Sequence, residues 1–162
     1  MAATLYSRGG LRSTLLGALV VMFFVALASA ALAADPIGQI KTATGSVAIE
    51  RDGARQPAAA GDRVLQSDVV TTGPDGTVGI TFDDNSMMSL GPDSSLALDS
   101  FRFDTTTHDG AFDASLRRGT LAVKSGYIVQ QGPPGEAMHV RTPAAVLGVR
   151  GTEFVVRAQA AP

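Results

Sequence analysis

The sequence predicts a single all-β domain of about ten short strands, arranged either as a β-roll or short solenoid or as a two-sheet sandwich. Three observations predict it. Apolar residues recur at every second position in short runs and nowhere hold the i, i+3, i+4, i+7 spacing of a helix for three turns. Between these runs stand "RDG", "GPDG", "DDNS", "GPDSS", "KSG" and "GPPGE", turn signals that work through the φ preferences of Gly, Pro, Asp and Asn. About 129 residues remain after an N-terminal leader, enough for one core and no second domain.

The leader comes first along the chain. Arg8 and Arg12 are the only charges before the apolar run "LLGALVVMFFVAL", and Ala31-Leu32-Ala33 supplies the small-x-small pattern of a signal peptidase site. Cleavage is expected after Ala33, leaving residues 34–162 as the mature chain, with a domain core at 38–157. Residues 13–34 are also about long enough to span a bilayer, so the chain touches a membrane only if this segment stays uncleaved. The mature part carries eleven Lys and Arg against fifteen acids, a net charge of −4. That mildly acidic surface has no basic stretch and no tryptophan, which argues against nucleic acid as a partner. The absence of cysteine excludes disulfides, thiol chemistry and cysteine metal sites.

The strands follow in order. Val47 and Ile49 alternate with Ala48 and Glu50, and Val78, Ile80 and Phe82 alternate with Gly79, Thr81 and Asp83. The beat passes through Met88 and Leu90, Leu96 and Leu98, and Phe101 and Phe103. After a polar stretch at 104–113, expected to be a mobile surface loop, it returns in Leu121 and Val123, Ile128 and Val129, Val140, and finally Phe154 and Val156. Gly-Ser or Gly-Thr opens a strand at Gly45, Gly76, Gly119 and Gly151, with unequal spacings of 31, 43 and 32 residues. This suggests stacked β-layers turning at glycine corners.

No catalytic, cofactor or metal site is read from the sequence. His108 and His139 have no ligand spacing, and no nucleophile elbow, S-x-x-K or phosphate loop occurs. Asp83-Asp84-Asn85-Ser86 reads as a hairpin turn with Asn85 at positive φ rather than as calcium ligands.

Five segments, "GSVAIERDG", "GDRVLQSDVVTTG", "GTVGITFDDNSMMSLGPDSSLAL", "LRRGTLAV" and "VRTPAAVLGVRGTEFVV", resemble in that order the FecR domain family, the periplasmic domain of ferric-citrate-type transmembrane regulators. The signature lies in Asp84, Asn85 and Ser86 and in Thr142, Pro143, Arg150, Gly151, Thr152 and Phe154, all read as structural. Arg150 is expected to tie the last turn to neighbouring strands through its fork of donors, with an anion-binding role as the alternative. Asn85 and Ser67 stand where the family commonly has glycine. Full regulators add a cytoplasmic anti-sigma segment and a receptor-contacting segment. Only about fourteen residues precede the apolar run here, so the expectation is an exported, stand-alone domain in the periplasm or outside the cell, without direct sigma-factor contact. It would act as a non-catalytic module binding an envelope protein or glycan. The alternative is a structural envelope protein that associates with surface polysaccharide or with copies of itself.

Overall fold

A computed structural model describes residues 34–151 and 153–159; the leader with its cleavage point at Ala33, and the signature residue Thr152, lie outside the described residues. Among the described residues, alternation and turns build twelve strands and one short helix. The strands are β1 (Gly38–Thr44), β2 (Val47–Arg51), β3 (Ala54–Pro57), β4 (Arg63–Val64), β5 (Val69–Thr72), β6 (Thr77–Phe82), β7 (Met87–Leu90), β8 (Ser95–Phe103), β9 (Gly110–Lys124), β10 (Met138–Arg141), β11 (Val146–Gly148) and β12 (Glu153–Ala158), and the helix is α1 (Tyr127–Gln131). They form one sheet, curled into a half-barrel, with main order β3-β2-β5-β8-β9-β7-β6-β1-β4. Every pairing is antiparallel except that of β10 with β9. The chain is therefore all-β, and of the two architectures left open it is nearer the roll.

β9 is the spine. Its first part pairs with β8 and β10, and its last part with β7 and β12. Phe112, Ala114 and Leu116 point inward along the first part, whereas Leu121 and Val123 do so along the second, so the inward phase changes by one residue. Gly119, at φ 94°, absorbs the change in a conformation that side chains disfavour. β8 does the same with a register shift between Ala97 and Ser100, which carries the inward set from Leu96 and Leu98 to the half-buried Phe101 and Phe103. These phase changes are why two strands run to nine and fifteen residues where four to six were expected.

The two walls meet in one apolar core. Phe82 of β6 lies 4.7 Å from Phe112 of β9 and 6.0 Å from Phe101 of β8, centroid to centroid, with the Phe82–Phe112 and Phe101–Phe112 pairs edge-on. Three of the four expected glycine corners pack closely, although Gly119 opens no strand and lies inside β9. Gly45 packs on Asp75, Gly76 on the backbone of Ser46, and Gly119 on Ser94, while Gly151 has open space where a side chain would go. Inside this stack the buried Thr72 and Ser94 satisfy the turn backbone: Ser94 N donates to Thr72 Oγ1 at 2.9 Å, and Thr120 N donates to Ser94 Oγ at 3.0 Å.

Two expectations are corrected. Ile128 and Val129 belong to α1, where Ile128 is fully buried and its carbonyl accepts a hydrogen bond from Gly132 N. Tertiary contact overrides the β preference of "YIV" there. The polar stretch at 104–113 is not a loop throughout: residues 110–113 open β9, and Phe112 is completely buried. The remaining turn is ordered by the Asp104 carboxylate, which accepts hydrogen bonds from the backbone of Thr106 and Thr107. Those bonds hold its pKa below the ordinary aspartate range.

Candidate functional site

The signature divides into a buried half and an exposed half. In the β6–β7 turn, Asn85 adopts φ 63° and its amide donates to Phe82 O, as a hairpin turn requires. Asp84 and Ser86 on either side of it are fully buried. Ser86 donates through its amide to Asp84 Oδ1 at 3.0 Å and through Oγ to Oδ2 at 2.6 Å. Ser86 Oγ in turn accepts from Gly126 N, and Asp84 O accepts from Tyr127 N. The turn is thereby bolted to the start of α1. Burial of the carboxyl raises the Asp84 pKa, and the Ser86 hydrogen bonds pull only partly against it. A β-carbon at Gly126 would overlap the backbone of Asp84 and Ser86, so the junction needs a glycine. Ser67 takes φ 71°, which gives a conformational reason for the glycine that the family resemblance places there.

The exposed half runs from Thr142 to Phe154. Thr142 closes the β10–β11 turn by donating its amide to Ala145 O and accepting Ala145 N at Oγ1. Pro143 and Arg150 are exposed, Phe154 is half-buried, and Gly151 O accepts from Ser125 Oγ at 2.8 Å. Among the described residues no hydrogen bond or ion pair engages Arg150, and its side chain lies over Gly135. The arginine that ties strands together is Arg51. It grips the fully buried Asp68 with two bonds of 2.8 Å and also donates to Arg63 O. Asp68 accepts Leu65 N as well, and its hydrogen bond and charge raise the Arg51 pKa further.

Beside Thr142 and Pro143 the sheet opens. β10 leaves β9 at the Arg141–Ser115 pair and β12 joins it only at Gly119, so among the described residues the segment 116–118 has no strand partner on the edge away from β8. The result is a cleft of about 510 Å³ lined by Ser95, Ser115, Arg117, Arg118, Arg141 and Pro143, among others. Arg141 is held by acids, with Nη2 3.1 Å from Asp113 Oδ1 and Nη1 3.7 Å from Asp99 Oδ2. His139 Nδ1 lies 3.3 Å from the same Asp113 oxygen. That oxygen is buried and accepts no well-aligned hydrogen bond, so its compensation is Coulombic. Ser100 and Ser115 donate to Asp113 and Asp99. Arg117 and Arg118 are exposed and unpaired among the described residues. The chemistry on offer is therefore recognition of anions by guanidinium groups next to unpaired backbone.

Of the cleft residues, sequence reasoning singled out only Thr142 and Pro143, and read both as structural. One signal was present: the Arg117-Arg118 doublet breaks a period of two immediately before a glycine, marking a place where a strand turns both side chains to solvent. No cluster of three His, Asp or Glu able to hold a metal occurs among the described residues, nor a helix long and apolar enough to cross a membrane.

The family model described as FecR protein matches residues 68–162, more than half of the chain, and the chain belongs to the FecR family, a regulatory signalling family whose domains are periplasmic in regulators. Among curated proteins and solved structures nothing matches.

Proposed function

We propose that this is an exported, non-catalytic binding module of the bacterial cell envelope, and that the cleft beside Thr142 and Pro143 receives an extended acidic segment of an envelope protein. The observation that carries it is the open edge at 116–118, which itself bears Arg117 and Arg118. An extended chain can add its backbone hydrogen bonds to such an edge, and a guanidinium fork matches a carboxylate with two parallel bonds. Arg141 is already oriented by Asp99 and Asp113, which leaves the doublet to do the capturing. Membership of a regulatory family supports a signalling role for the binding.

The test is capture from envelope extracts by the tagged protein, wild type against the double variant Arg117→Glu, Arg118→Glu. A defined acidic protein retained by the wild type and lost from the variant and at high salt supports the reading. Capture that is unchanged by the charge reversal overturns it, and retention of polysaccharide alone moves the assignment to a structural envelope role. Export has its own check. The protein released by osmotic shock should begin at Ala34 by mass spectrometry, and intact chain starting at Met1 in the membrane fraction would refute cleavage.

A further inference from the structure

β12 is an edge strand. Among the described residues it pairs with β9 alone, so its outer row of N–H and C=O groups meets no other strand. Its first five residues, Glu153-Phe154-Val155-Val156-Arg157, are self-complementary in charge about Val155. Glu153, Val155 and Arg157 are exposed, Val155 at 69%, while Phe154 and Val156 turn toward the core and are half-buried.

We infer that β12 pairs antiparallel with β12 of a second copy of this chain, about a two-fold axis through Val155. In that register Glu153 faces Arg157 of the second copy, Phe154 faces Val156, and Val155 faces itself. Every pair is opposite in charge or apolar, the combinations that stabilise neighbouring strands. Parallel pairing would set Glu153 against Glu153 and Arg157 against Arg157. A two-residue slip would place each charge against an apolar side chain or beyond the strand end. The charges thus select one register, while the added backbone hydrogen bonds and the covering of Phe154 and Val156 supply the attraction.

Both charges are only loosely engaged within the chain. Glu153 lies 3.6 Å from Lys124, both well exposed, and Arg157 Nε reaches Thr120 Oγ1 at 3.3 Å. In the pair, Glu153 would stand between Lys124 of its own β9 and Arg157 of the second copy. The two-fold uses up the edge on both copies, so the assembly closes at two. This surface is separate from the arginine cleft and does not depend on it.

Sedimentation equilibrium of the protein purified from the cell envelope tests the inference, with a reversible monomer–dimer equilibrium expected at chain concentrations up to about 1 mM. Glu153→Arg alone and Arg157→Glu alone should each weaken self-association about tenfold or more, since each sets like charges face to face twice. Mixing the two variants should restore wild-type affinity, because every cross-strand pair is then again opposite in charge. That recovery also shows that both variants fold. A wild type that stays monomeric throughout, single variants that associate as tightly as wild type, or a mixture no tighter than its components overturns the inference. The Arg117→Glu, Arg118→Glu variant should dimerise normally, which keeps this result distinct from the fate of the cleft.

Discussion

Two arginines with opposite surroundings carry different weight. Arg51 neutralises an aspartate that has no access to water, so its removal strands a buried charge; Arg150 neutralises nothing among the described residues. Arg51→Ala should lower the unfolding free energy by about 3 kcal/mol, whereas Arg150→Ala should stay within about 0.5 kcal/mol of wild type. Urea melts of the two variants check this, and equal losses would show that Arg150 has a partner after all. Asp84 offers a test by pH. Its folded pKa is raised by burial, so its favourable contribution is complete below the unfolded aspartate value of about 4 and declines as pH rises through the folded pKa. Asp84→Asn, neutral at every pH, should therefore cost most at about pH 4 and below and progressively less as the pH rises. A gap that widens with pH would mean that the carboxylate is stabilised rather than penalised.

At the level of elements, the join between the β6–β7 turn and α1 depends on a missing side chain. Gly126→Ala forces a β-carbon into three backbone atoms that cannot rotate away, and about 3 kcal/mol of stability should be lost. Gly151→Ala meets nothing within 4 Å and should be close to neutral. Thermal unfolding of the pair distinguishes a structural glycine from a merely recurrent one. The β6–β7 hairpin was legible because a strict period of two ran into "DDNS" and resumed with Met88 and Leu90, so burial and turn chemistry agreed. β9 was not, because its inward phase changes at Gly119 and its first residues are hidden in a polar stretch. Phe112 stood alone among Asp, Gly and Ala, with no apolar partner two residues before it. α1 is too short to show a helical period, and its position follows from contacts with residues some forty places earlier in the chain. The cleft was illegible for a related reason: it exists only where two ladders on β9 fail to meet, and sequence alone does not reveal where β10 ends.

Across the whole molecule, Leu116 and Leu121, on either side of the phase change at Gly119, belong to one core. Leu116→Ala and Leu121→Ala should each cost about 3 kcal/mol and shift a single urea transition without broadening it. Two separable transitions would show instead that the walls unfold independently.

The position of β9 in the chain also bears on when folding can happen. The strands from β1 to β8 are made first, yet the partner that holds both walls together begins only at Gly110. Until that strand is delivered, the pairs across the half-barrel have nothing to close on, and such long-range closure is slow. A chain threaded through a membrane from its N-terminus would stay loose on the near side for most of its passage and set only after nearly all of it had crossed. In an exported chain a late spine would work as a timer, keeping the polypeptide transportable while it waits and committing it to a fixed shape at its destination.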